Sequence, residues 1–346
     1  MQMSSLCRVV LAAIYAAMLT LCTAGIANAG LFRAYLSVAG NDANACTLPA
    51  PCRLLPAALN AINDGGEVWM LDSANFNTAP VNITKSATIL AVPGALGSVV
   101  ANGGDAIVVN TPGVHVTLRN LVVLNLSGGT IGASGLNGIT LFDGAELTVE
   151  DCEIYGMSGR GIRGFASGAK ITIRRSIIRD NAFRGVSFSG ALTVTMDGVQ
   201  VLNSPLGVIA GPGLNMTLSN SVVAGSNDVG SAGVAIQAQA GATETVNLAI
   251  ETSVIRSSDL GVAATSDGGS TLVTISRSAI SQNGTGVLAA LSAGGAVVVL
   301  NGSTVSHNGV AGVDTTGGGV VQTLQNNVFQ FNNVNVSGAL TPLSPL

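Results

Sequence analysis

One line of apolar and polar positions recurs nine times along the chain, at 118–123, 149–154, 173–178, 196–201, 218–223, 250–255, 275–280, 300–305 and 324–329. It reads apolar, two turn residues, a small residue, any residue, apolar, as in VEDCEI, IRRSII, LSNSVV and ISRSAI. Successive copies start 31, 24, 23, 22, 32, 25, 25 and 24 residues apart, with a degenerate earlier copy at Ile83. Two more positions keep the same phase. Three residues after the last apolar position stands Asn181, Ser226, Ser258, Asn283, Asn308 or Asn332. A few residues later a glycine precedes an aliphatic residue, at Gly138, Gly161, Gly185, Gly207, Gly233, Gly261, Gly286 and Gly312. Each unit thus predicts two or three short strands of period two, separated by turns.

A strand-rich unit of this size cannot bury its own apolar face, so copies must stack. Three short strands with bends between them make one coil of a parallel β-helix, and stacking pairs each strand with the next at about 4.8 Å. The fold class predicted is therefore all-β, a single-stranded right-handed parallel β-helix of about ten coils, roughly 45 to 50 Å long. Inward positions form columns of Val, Ile and Leu, and the small residues form a second kind of column. The asparagines form a third, in which side-chain amides bond along the stack and satisfy groups that the bend would strand. Glycine in the remaining turn is expected to supply a positive φ. The 47% hydrophobic content, in alternating positions, excludes disorder despite 45 glycines.

This repeat, over about 65–333, resembles that of the pectin-lyase-like superfamily of right-handed parallel β-helix proteins. The preceding stretch, 33–72, resembles the N-terminal segment of exported bacterial β-helix proteins. There, 52–62, with Leu54, Leu55, Leu59 and Ile62 on one face, predicts a short amphipathic helix ended by Asp64, Gly65 and Gly66. Such a helix over the first coil hides its apolar interior and blunts its edge. The organisation expected is a signal peptide at 1–29, a cap at 30–64, the β-helix at 65–333 and a loose C-terminal tail at 334–346.

The N-terminal reading rests on Arg8, an apolar run over 9–22 and the small-x-small site Ala27-Asn28-Ala29, the pattern of a signal peptide cut before Gly30. The run is short for a membrane span, and the residues before Cys22 do not suit lipid attachment. A secreted or periplasmic location follows. Beyond the cut, 13 Lys+Arg face 18 Asp+Glu, a formal charge of 13 − 18 = −5. That argues against nucleic acid or an anionic membrane as partner. In an oxidising compartment Cys46 and Cys52 are placed to pair, a metal site there lacking further ligands. Cys152 is expected to be buried and inert.

The stretch ITIRRSIIRDNAFRG (171–185) holds four arginines in a chain that is only 9% charged. Read down the stack, the first turn position gives Arg119, Glu150, Arg174, Asp197, Ser219 and Glu251. The second gives Asn120, Asp151, Arg175, Gly198, Asn220, Thr252 and Arg277. Opposite charges one rung apart attract, which accounts for Arg174 and Arg175. It does not account for Arg160 and Arg184, which are 24 residues apart and both positive. Tyr155, Phe165, Phe183 and Phe188 lie close by in sequence, and the insertion at 126–137 precedes the cluster. Arginine forks beside aromatic rings suit an acidic or sulfated glycan. The alternative is that long side chains coat a solvated face. The candidate ligand-binding set is Arg160, Arg163, Arg179, Arg184, Tyr155 and Phe183.

The resemblance implies a search for polysaccharide lyase, polygalacturonase and pectin methylesterase motifs. The Asn-Thr-Asp, Asp-Asp and Gly-His-Gly segments of polygalacturonases are absent from the sequence. Asp180 has no acidic partner one coil away, whereas glycosidase chemistry needs two facing carboxylates. Glu150, Asp151 and Glu153 would be the calcium ligands of a lyase, the one cofactor considered. His115 and His307 lie many coils apart with no triad or metal partner. The expectation is an exported, non-catalytic β-helix protein that binds a polysaccharide or cell-surface glycan or serves as a surface module. The alternative is a divergent lyase or hydrolase using Asp180 and Arg179.

Overall fold

The computed structural model describes residues 30–125, 135–228 and 232–343. The signal-peptide reading of 1–29 and most of the insertion at 126–137 lie outside the described residues. Within them, short strands recur in fixed order, and each pairs in parallel with the strand one coil away. The first of three stacked sheets includes Glu146–Glu150, Lys170–Arg174 and Thr193–Asp197. The second includes Ile139–Asp143, Arg160–Gly164 and Arg184–Phe188. The third includes Glu153–Tyr155, Ile177–Arg179 and Gln200–Leu202, and stacks eleven strands among the described residues. The molecule is a parallel β-helix. Val149 pairs with Ile173, as their 24-residue spacing predicts.

Period-two alternation explains the packing. Leu147, Val149, Ile171 and Ile173 of the first sheet, Ile162 and Val186 of the second, and Ile154 and Ile178 of the third are fully buried. Burial of each such side chain contributes about 1.5–3 kcal/mol, and a shift of one residue would turn the set outward.

Polar columns complete the interior. Val199, Ser221, Ser253 and Ser278 donate their backbone N–H groups to the hydroxyls of Ser221, Ser253, Ser278 and Ser303, one coil on, at 3.0–3.2 Å. The asparagine ladder forms as well. Asn283 Nδ2 donates to Asn308 Oδ1 at 3.1 Å, and Asn308 Nδ2 to Asn332 Oδ1 at 2.8 Å. The same two oxygens accept the backbone N–H groups of Asn283 and Asn308 at 3.0 Å. In earlier coils serine takes the place, with Ser226 N–H donating to Ser258 Oγ at 3.1 Å.

Several expectations are corrected. The phased glycines do not adopt positive φ; they are needed for space. A Cβ on Gly161 would meet Ile178 Cγ2 at 2.6 Å and Gly185 O at 2.7 Å. Positive φ belongs instead to two other columns. Asn120, Asp151, Arg175, Gly198, Asn220, Thr252 and Arg277 form one, at φ 45–64°. Gly156, Asp180, Asn203, Gly225, Ser257, Gln282, His307 and Phe331 form the other, at φ 52–74°. Gly233 is out of register: Leu206 pairs with Val234 and Val208 with Ile236, so Ala235 stands opposite Gly207.

The helix is Leu55–Ala61, shorter than expected, because Ile62 is already extended (φ −79°, ψ 153°) and opens the strand Ile62–Met70. Asp64, Gly65 and Gly66 sit in a bulge of that strand, where the pairing jumps from Leu31–Ile62 to Arg33–Glu67. The cap region therefore contributes a rung of its own, Leu31–Leu36, and the β-helix begins before residue 65. Leu55, Ala58 and Leu59 bury themselves against the first coil. Cys46 and Cys52 are disulfide-bonded, with Cα atoms 4.6 Å apart. Cys152 is buried, and desolvation pushes its thiol pKa up to about 12, which makes it inert as a nucleophile. The segment after residue 333 is not loose: Val334–Ser337 and Leu340–Pro342 pair with Ala311–Asp314 and Val320–Thr323 and form part of the last coil.

The ladder makes a differential prediction. Asn308→Ala strips two donors on Asn283 of their acceptor and is expected to lower the unfolding free energy by about 2–3 kcal/mol. Ser226→Ala removes a buried hydroxyl oxygen that has no partner, and a change within about 0.5 kcal/mol is expected. Equal losses in denaturant titrations would contradict the ladder.

Candidate functional site

The arginines sort into two groups with different partners. The first is the ladder on the first sheet and its turn. Arg119 reaches Glu150 at 2.8 Å and Arg174 reaches the same carboxylate at 3.6 Å. Arg175 forks onto Asp151 at 2.8 and 2.9 Å, which holds that carboxyl below its usual range. Asp197 accepts from Ser219 and Asn220, and these bonds depress it likewise. His115, Glu146 and Lys170 form a further cross-coil set at 3.3–3.5 Å.

Arg179 also belongs with the paired arginines. It lies on the third sheet, bonded to Glu153 at 2.7 Å and to Asp180, with its guanidinium 4.2 Å from the Tyr155 ring centroid. Asn203 Nδ2 donates to Asp180 at 3.1 Å. Partial burial works against its charge, but the bonds to Asp180 and Glu153 win and raise its pKa. Arg179 and Tyr155 thus do not join Arg160 in one face, contrary to the sequence reading. Asp180 occupies a left-handed turn position between Gly156 and Asn203, a place that Asp, Asn and Gly tolerate. Glu150, Asp151 and Glu153 are each engaged by an arginine of their own.

The second group is different. Arg160, Arg163 and Arg184 project from the second sheet, with Arg160 paired to Arg184 across one rung and Arg163 to Ser187. All 18 acidic residues lie among the described residues, and none forms a salt bridge with these three arginines. Aromatic rings take that place. Arg160 and Arg184 sit 5.1 and 4.4 Å from the same ring, Phe183. Arg163 sits 4.5 Å from Phe165 and 5.5 Å from Phe142, two rings packed edge to face at 5.1 Å. Arg184 Nη1 donates to Ser187 Oγ at 3.1 Å, while its Nε is buried without a partner. Burial first, then mutual repulsion, lowers the pKa of Arg160 and Arg184, yet guanidinium remains cationic at any ordinary pH.

Local structure explains the placement. The Asn137 side chain accepts the Arg160 N–H at 3.0 Å, and Gly159 O accepts the N–H groups of Phe183 and Arg184. Each arginine is thereby aimed outward at the start of its strand. Asp105, whose charge acts on Arg160, is held by Asn137 at 2.7 Å and by Thr140. The result is an open cleft of about 280 Å³ lined by the three arginines, Phe165, Ser187 and Ser189. Phe142 and Phe165 were absent from the sequence-derived set, although their spacing of 23 residues marks them as one coil apart. Phe188, which lies close to the cluster in sequence, points into the core at 1% exposure.

Arranged this way, the cleft offers forked donors for anionic oxygens and flat apolar faces beside them. Among the described residues no three His, Cys, Asp or Glu side chains converge on a metal-sized site. No described helix is long and apolar enough to cross a membrane.

A family profile described as "Right handed beta helix region" matches residues 105–269. No curated protein sequence matches the chain. Solved structures with a similar fold include the pectate lyase Pel9A, at 14% identity and TM-score 0.50, covering 89% of this chain and 78% of that one. The GH136 lacto-N-biosidase from Eubacterium ramulus gives 10% identity and TM-score 0.59, with 90% and 67% covered. An alginate lyase from Paenibacillus sp. gives 15% identity and TM-score 0.51, with 90% and 100% covered. At such identities the likeness is one of fold alone. Repeat, strand pairing and family match agree, and the chain is a right-handed parallel β-helix, a fold it shares with the pectate lyase Pel9A.

Proposed function

We propose that this is a non-catalytic, exported carbohydrate-binding protein whose Arg160–Arg163–Arg184 face holds an acidic polysaccharide. One observation carries the reading. Three half-buried arginines share one face with no carboxylate in salt-bridge contact, and only Asp105 acts on Arg160 from further off, while Arg119, Arg174, Arg175 and Arg179 each have a bridging partner. Two unit charges about 4 Å apart repel by roughly 1 kcal/mol even in bulk water, and by more where partly buried. Folding has no use for that arrangement; an incoming carboxylate or sulfate does. The three rings support the same ligand, since a sugar's apolar face packs on an aromatic face while its anionic group meets a guanidinium.

The names of two fold neighbours, pectate lyase and alginate lyase, concern acidic polysaccharides and are compatible with this class of ligand. A lyase or hydrolase acting through Arg179 and Asp180 is less favoured, because those two side chains neutralise each other and Glu153 holds the same arginine. Export follows from the signal-peptide pattern at 1–29.

Calorimetric titration with polygalacturonate and alginate, against a neutral glucan, tests the reading. Binding to the acidic polymers is expected, weakening as salt rises. Arg160→Ala and Arg184→Ala should each reduce affinity about tenfold or more, as loss of a charged hydrogen bond does, and Arg174→Ala should not. Equal affinity for the neutral glucan, or new unsaturated or reducing ends in the acidic polymers, would defeat it. Stability gives an independent check. Arg160→Gln relieves repulsion and should stabilise the fold by up to about 1 kcal/mol. Glu150→Gln leaves Arg119 and Arg174 unopposed and should destabilise by about 1 kcal/mol. The opposite signs are the expected result in thermal melts.

A further inference from the structure

We propose that the far end of the β-helix, formed by Val328–Gln330, Val334–Ser337 and Leu340–Pro342, is a self-association surface joining two copies tail to tail. The three strands each pair with a neighbour on one side only. Their inward side chains, Phe329, Val336 and Leu340, continue the three core columns. One coil earlier Val305, Val313 and Val321 are fully buried, whereas Phe329, Val336 and Leu340 are only partly so. Among the described residues, nothing covers the apolar interior at this end.

Soluble proteins usually defend such an edge with charge or proline. Here the sequence from 315 to 346 contains no Asp, Glu, Lys or Arg, and Pro342 removes a single donor from the last strand alone. Four of the thirteen large exposed apolar side chains among the described residues, Val320, Val328, Phe331 and Val334, belong to this stretch. Phe331 is the most telling. It is 71% exposed and held at φ 57°, in a column otherwise filled by Gly, Asp, Asn, Ser, Gln and His. Its ring packs on His307, with centroids 5.0 Å apart, yet a bulky residue in that conformation is strained, and in an isolated β-helix most of the ring faces water.

A second copy is the occupant that this chemistry selects. A partner carrying charge finds nothing here to pair with, whereas an identical neutral end matches residue for residue. Both copies carry net negative charge, −4 per chain, and these ends are where they can meet without like charges facing each other. A two-fold axis across the helix axis sets each edge strand antiparallel to its counterpart, so donors meet acceptors and the apolar columns become continuous. The other end is closed by the Leu55–Ala61 helix, with Leu55, Ala58 and Leu59 buried. Head-to-tail growth is therefore blocked, and the assembly stops at two.

Sedimentation velocity and small-angle scattering on the purified protein test this. The expected species has twice the monomer mass, which is 34.3 kDa for the whole chain, and close to twice its length. Phe331→Asn suits the left-handed backbone and should leave the unfolding midpoint intact while weakening the dimer at least tenfold. Val334→Lys, at a 44% exposed position, sets like charges opposite each other and should give monomers. A monomer at all concentrations, a side-by-side dimer no longer than one copy, an open-ended series, or variants that dimerise like the wild type would each overturn the proposal.

Discussion

Parallel hydrogen bonding between strands one coil apart governs this protein. It sets a rung spacing near 4.8 Å and makes residues about 24 positions apart direct neighbours. Every other feature is a consequence of that adjacency. Apolar side chains stack on apolar side chains, serine hydroxyls accept N–H groups from the coil before, and asparagine amides chain through Asn283, Asn308 and Asn332. The same closeness excludes a Cβ at Gly161, where the next coil's backbone passes too near. Substitution at one rung is therefore felt at its two neighbours and hardly beyond, as in other stacked repeats.

Charge placement follows from the same geometry. A lone charge on such a surface stands opposite two others, so sign alternation is the stable solution, as in Arg119–Glu150–Arg174. Against that background the Arg160–Arg184 pair is a local violation. Proteins tend to break their own rules where a ligand restores the balance. Phe183 lies beneath both guanidinium groups and softens the repulsion without neutralising it.

Two chemically distinct surfaces are thus carried on one rod. The cationic cleft lies part-way along the second sheet, and the neutral end lies beyond residue 315. One coil can replace another without altering the stack, so the fold by itself specifies no ligand. That independence is consistent with the range of proteins that share this fold, from lyases to glycosidases, at identities of 10–15%.

Much was legible in the sequence. Alternation of period two within a repeat of about 24 residues determines which side chains face inward, because strand geometry admits no other reading. The same repeat determined the alternating charge column and the asparagine ladder, since both depend only on which residues are one coil apart. Spacing along the chain carries no information on which face of the coil a residue occupies once a bend intervenes. For that reason Arg179 and Tyr155 were grouped with Arg160, although they lie on different sheets. Nor does a one-letter code show whether a glycine is needed for its backbone angle or for its missing Cβ, and at Gly161 only the proximity of Gly185 O decided the matter. The cleft of Arg160, Arg163 and Arg184 over Phe142, Phe165 and Phe183 likewise needed the tertiary structure. It is assembled from three coils and the turns between them, and the direction of each side chain there is set by the bend it follows.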